Sequence, residues 1–199
     1  MRCTMRGRGT AIALMLAALM IAMQTALATS SGPEIHLREW HHAGGVYSVA
    51  LIADVKAAPE TIRVLLNDPS ILPLMDTSVR TVEVLAGSPK GVRRIRTSLE
   101  GCILFLCREV TQVQDLKNPS PNEVVATNVA AQSDFKQAEY AWRIAPLGPD
   151  TTRVILTMVL EPDFFVPPGL GPASVGAQLI QRAEAMVGNL EDLARHTDG

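Results

Sequence analysis

This chain of 199 residues is short of several things, and each shortage removes a class of function. Basic charge is not in excess: 18 Lys and Arg stand against 20 Asp and Glu. Arg2, Arg6 and Arg8 fall in the first 28 positions with no acid among them, which leaves the remainder at net −5. That balance argues against a nucleic-acid partner and against simple electrostatic adhesion to anionic lipid. The sequence has no G-x-S-x-G elbow, no Walker-type phosphate loop and no glycine fingerprint for dinucleotides. No Ser/His/Asp set stands out from the many a chain this long could supply. No catalytic residue and no cofactor is expected. Glu34, His36, His41 and His42 could in principle hold a metal. However, His41-His42 is not a helical i, i+4 pair, and all four fall in a segment that reads as flexible, so no metal site is expected. No repeat, low-complexity tract or second domain is visible.

What is present begins with a leader. Three arginines precede Ala11–Met23, an unbroken apolar run, and Ala26-Leu27-Ala28 supplies small residues at a cleavage position. This is the pattern of a secretory signal peptide over residues 1–28. The run is shorter than the roughly 20 apolar residues of a membrane span. No cysteine follows it, which argues against lipoprotein processing. Export, to the periplasm, is the expectation. The rest divides into a flexible segment at 29–45, polar and holding Trp40 and three histidines, and one domain at 46–199.

Cysteine is scarce, and two of three remain once Cys3 leaves with the leader. An even count in an exported protein reads as a disulfide. Cys102 and Cys107 bracket four bulky apolar residues, Ile103 to Leu106. On one extended strand their Cα atoms would be about 16 Å apart at about 3.3 Å per residue, whereas a disulfide needs under about 7 Å. A turn at Glu100-Gly101 would leave both as unpaired core residues. A hairpin tipped by the apolar residues would let the cysteines staple its neck. The staple is the expectation. An apolar tip makes sense if it meets a bilayer, a ligand or another protein.

"VYSVALIADV" (46–55) reads as a strand. Pro59 opens a helix with Ile62, Leu65 and Leu66 on one stripe, stopped by Asn67-Asp68-Pro69. Ser70 to Met75 gives a second short turn or helix. Six strands follow, at 78–85, 92–99, 108–116, 123–129, 137–145 and 152–162, with turn signals at 87–91, 118–122 and 147–150. Past the Pro/Gly connector "FFVPPGLGP", Ala173–Arg195 is a long helix. Val175, Leu179, Ala183, Met186, Leu190 and Leu193 share its apolar face. The fold class is α+β, an antiparallel sheet that must bury against the long helix.

This order resembles the START-like (SRPBCC, helix-grip) superfamily, in particular its polyketide cyclase/dehydrase and coenzyme Q-binding branch. The resemblance rests on "VALIADVKAAPETIRVLLNDPSILPLM" and on "TRVILTMVLEPDFFVPPGLGP" with "LIQRAEAMVGNLEDLA". It implies a curved sheet wrapped around the C-terminal helix, with two short helices after the first strand and a cavity for an apolar ligand. Candidate cavity or mouth residues are Leu104, Phe105, Trp142, Arg96, Met158, Phe164, Phe165, Leu179 and Met186. Arg96 enters as the arginine that could hold a head group, against the plainer reading that Arg94, Arg96, Ser98 and Glu100 face solvent. The expected function is an exported carrier enclosing a lipid or other apolar small molecule, with transient membrane contact. The alternatives are a polyketide cyclase/aromatase-like enzyme and an envelope protein-interaction module.

Overall fold

A computed structural model of the protein describes residues 32–103, 106–164 and 171–197, except for the side chains of 101–103 and 106. The leader expected at 1–28 lies outside them. Eight antiparallel strands form one curved sheet in the order β1-β2-β8-β7-β6-β5-β4-β3. They are β1 Glu34–Ala43, β2 Val46–Val55, β3 Val79–Val84, β4 Arg93–Ile103, β5 Leu106–Ser120, β6 Glu123–Asn128, β7 Phe135–Gly148 and β8 Thr151–Pro162. Two short helices, α1 Pro59–Leu66 and α2 Leu72–Met75, follow β2, and the long helix α3 spans Gly171–Thr197. This is the helix-grip arrangement expected from the element order.

Local chemistry sets the boundaries. Pro59 stands in the first turn of α1, where its missing N–H costs nothing. The Asp68 carboxylate then accepts from the Ser70 N–H at 2.9 Å and caps the 3-10 turn Pro69–Ile71. On β2 the inward residues Tyr47, Val49, Leu51, Ala53 and Val55 are buried at every second position. Val49 to Val55 of this set join Leu156, Met158 and Leu160 of β8 and Ala183, Met186, Val187, Leu190 and Ala194 of α3 in the main core. Each fully buried Leu or Met contributes about 1.5–3 kcal/mol relative to exposure.

The segment 29–45 is not a flexible tail where it is described. Glu34–Ala43 pairs with β2 as an edge strand, and Gly32 onward forms one compact unit. Two features hid it. A register shift between Ile35 and Leu37 inserts one extra residue, which reverses the in–out alternation before Trp40. The turn is Gly44-Gly45, with φ of 59° and 89°, a left-handed pair suited to a two-residue hairpin. His36 of this strand bonds the Asp54 carboxylate at 2.7 Å, and the His42 ring lies 4.5 Å from that of Tyr47.

Cys102 and Cys107 are register partners across β4 and β5, one step from the last pair, Ile103 and Leu106. The hairpin form of the apolar segment is therefore the one adopted, and Glu100-Gly101 is not a turn. Directly opposed Cα atoms in an antiparallel pair are about 4.5–5.5 Å apart, inside the range a disulfide spans. Cys107 is engaged, while the side chain of Cys102 is outside the described set.

Candidate functional site

α3 packs chiefly on β1 and β2 and also touches α1 and α2. The inner faces of β4 and β5 are left opposite α2 and the 3-10 turn before it. A cavity of about 70 Å³ lies there, between the main core and a small cluster of Val79, Leu99 and Val110. Its walls are mostly apolar, with Leu65, Leu72, Met75, Ile95, Leu116, Val124, Trp142 and Met186 among them.

Polar groups break that wall. Asp76, just past α2, is 5% exposed. Its Oδ2 accepts from Arg182 Nε of α3 at 2.7 Å, and its Oδ1 accepts from the Ser78 backbone N–H at 3.0 Å and hydroxyl at 2.8 Å. The ion pair thus joins α3 to the chain just after α2, beside a second tie from Asn189 Nδ2 to the Met75 carbonyl at 3.0 Å. Tyr140 of β7 also lines the cavity. Burial pushes its phenol up, with the Arg182 charge opposing, so the hydroxyl keeps its proton. Asp68 lines the mouth, and its hydrogen bonds with Ser70 hold its carboxyl below the usual range.

Gln112 and Gln114 of β5 complete the site. They point inward at 1% and 6% exposure, and neither Nε2 has a partner within hydrogen-bond distance among the described residues, although the Gln112 amide stands near enough to Tyr140 to act on its hydroxyl. A buried amide left so costs about 1–3 kcal/mol. No sequence signal marks them as site residues. They share strand parity with the inward Val110 and Leu116, but Val113 on the opposite face is equally buried. It is held beneath 129–133, where Ser133 Oγ accepts from the Val113 N–H at 2.9 Å, so alternation alone gave no inward side.

The expected site residues divide accordingly. Trp142 and Met186 line the cavity. Met158 is buried in the main core away from it, and Leu179 is half-buried on that core's edge. Phe164 packs on the small cluster, edge-on to Phe135 at 5.9 Å and under the Arg108 guanidinium at 4.8 Å. Leu104, Phe105 and Phe165 lie outside the described residues. Arg96 is a correction. It is on the outer face, half-exposed and paired with Glu83 at 3.2 Å, because Ile95, Thr97 and Leu99 take the inner positions. Arg94 pairs with Asp115 at 2.6 Å and Ser98 with Glu109 at 2.6 Å on that same outer face. The arginine of the cavity is Arg182, from the long helix.

No family model matches the chain, and no curated protein matches it. Solved structures do. A START superfamily protein from Mycobacterium smegmatis is 25% identical, with 73% of this chain and 98% of that one covered and a TM-score of 0.59. The Zhui aromatase/cyclase from Streptomyces sp. R1128 is 13% identical, with coverage of 77% and 96% and a TM-score of 0.59. Human StAR-related lipid transfer protein 5 is 13% identical, with coverage of 96% and 100% and a TM-score of 0.59.

Proposed function

We propose that this chain, whose fold is the START-like helix grip, is a binding or carrier protein for an apolar small molecule, of lipid or similar class. The observation that carries the reading is the cavity between β4–β5 and the short helices, apolar in its walls and lined by buried polar groups. The likeness to a lipid transfer protein and to a START superfamily protein supports a hydrophobic ligand. At about 70 Å³ the cavity accepts a small occupant as it stands. A full lipid requires α2 and its preceding turn to move outward, since pockets for larger ligands run to about 300–1,000 Å3.

The cyclase-type alternative needs a group free to move protons. Among the described residues, both carboxylates at the cavity are committed, Asp76 to Arg182 and Ser78 and Asp68 to Ser70. That favours shielding by burial over bond chemistry. Organic extraction of the purified protein, followed by mass spectrometry, tests the reading. A recovered apolar molecule at near-stoichiometric yield is expected. Protein that yields none, and takes up none when offered, refutes it.

The same reading includes export and a stapled hairpin. Arg2, Arg6, Arg8, the apolar run and Ala26-Leu27-Ala28 support a leader removed before Thr29. The opposed register of Cys102 and Cys107 supports a cross-link below the apolar tip, and the tip supports contact with a bilayer. An intact mass beginning at Thr29, and no free thiol in denatured, unreduced protein, are the expected results.

A further inference from the structure

Resting on that cavity reading, we infer that the occupant is a neutral molecule carrying an oxygen acceptor of the carbonyl class, held by the side-chain amides of Gln112 and Gln114. Three observations carry this. First, both amides are more than nine-tenths buried and line the cavity; Gln114 Nε2 has no partner among the described residues, and Gln112 Nε2 has none within hydrogen-bond distance, although its amide stands near enough to the Tyr140 hydroxyl to act on it. Buried donors are otherwise satisfied as a rule, so an unmatched pair in one wall marks where an acceptor belongs. Second, the two stand at i and i+2 on the inward face of β5, so they address the same space from adjacent positions. Third, the site holds no unmatched cation, and the ionised Asp68 at its lining adds a negative charge. Arg182 is matched by Asp76, which lies deeper in the protein than the guanidinium does. A carboxylate occupant would find no unmatched cation and would be desolvated at large cost. A pure hydrocarbon would leave both amides unsatisfied. A ketone, ester or quinone oxygen satisfies the donors and brings no charge, and the rest of the molecule meets the apolar wall of Ile95, Trp142 and Met186.

The test uses three probes of similar size and different polarity: acetophenone, ethylbenzene and benzoate. Affinities for the purified protein come from ligand-observed NMR titration, and the carbonyl stretch of bound acetophenone from infrared difference spectra. Acetophenone should bind at least about tenfold tighter than either other probe. Its carbonyl band should move to lower frequency than in hydrocarbon solvent. In Gln112→Leu/Gln114→Leu the preference over ethylbenzene should disappear and the band should return, while ethylbenzene binds as well as before or better. The preference in the unaltered protein is measured without any variant, so a misfolded double substitution does not remove the test. Equal binding of acetophenone and ethylbenzene overturns the inference and leaves the cavity reading intact. Tighter binding of benzoate overturns it in favour of anion recognition by Arg182. Binding of none of the three overturns both.

Discussion

Replacing Asp76 with alanine, Arg182 with methionine, and then both together measures what the ion pair contributes to the cavity wall. Asp76 keeps 5% of its side chain exposed and Arg182 keeps 26%. Removing one member of such a pair strands the other, a loss of about 3–5 kcal/mol in buried cases. Asp76→Ala leaves a guanidinium that still reaches solvent, and it removes the acceptor of the Ser78 N–H and hydroxyl. A loss near the lower end, about 3 kcal/mol, is expected. Arg182→Met strands the more deeply buried partner, but the two Ser78 hydrogen bonds remain to hold it. A similar loss of about 3 kcal/mol follows. In the double variant no charge is stranded and methionine packs against the apolar wall. Its cost should fall short of the sum of the singles by at least about 2 kcal/mol. Urea denaturation with tyrosine and tryptophan emission reads this directly, provided the slope is unchanged and only the midpoint moves. Single variants that each lose under about 1 kcal/mol, or a double variant that equals their sum, would show a solvated pair that shapes nothing.

Other measurements reach other parts of the molecule. A Cβ on Gly176 would meet the Trp40 ring at 2.3–2.7 Å, so Gly176→Ala should cost about 1–3 kcal/mol. It should also move the Trp40 emission to longer wavelength, and Trp40→Ala should relieve the penalty. Asp54 and Asp115 have carboxyls held below the usual range, first of all by hydrogen bonds from Arg153 and Arg94 respectively. A lowered native value stabilises the fold above the unfolded-state value of about 3.9, and that contribution is lost as pH falls through the native value. The melting temperature should therefore drop on acidification below about pH 4, and more shallowly in Asp54→Asn/Asp115→Asn than in the unaltered chain. Serine at Leu104 and Phe105, with both cysteines kept, should change stability by less than about 1 kcal/mol and slow transfer of an apolar ligand from vesicles. A loss of several kcal/mol would place the pair in a core instead.

Element order was legible because it rests on local signals. Val46–Val55, the proline that opens α1, and the six later strands all carry their own punctuation. The site was less legible because it depends on which face of a strand turns inward. For Arg96 the neighbours Ile95 and Leu99 held the answer, since alternate apolar residues on a half-buried strand take the core side. For Gln112 and Gln114 no such signal existed, because Val113 is buried by a loop that arrives from elsewhere in the chain. On α3 the buried face is slightly out of phase with the apolar stripe of the sequence. Glu191 is fully buried, with its Oε2 accepting from the Lys56 backbone N–H at 3.2 Å, and a carboxylate at that position reads from sequence as solvent-facing. Glycine spacing in Gly44-Gly45 was the missed clue to β1.

Because α3 presses on β1 and β2 while a hollow lies beneath β4 and β5, one continuous sheet holds two levels of resistance to local opening. Amide protons of β2 and β8, sealed under the main core, should exchange with solvent only when the whole domain unfolds. Those of β4 and β5 need only the short helices to part from the sheet, and they should exchange sooner. An occupant would slow that second group first, since it closes the gap that lets those strands loosen, and by an amount set by its concentration relative to its dissociation constant. Hydrogen exchange along the sheet would therefore reveal an occupant as a gradient that flattens.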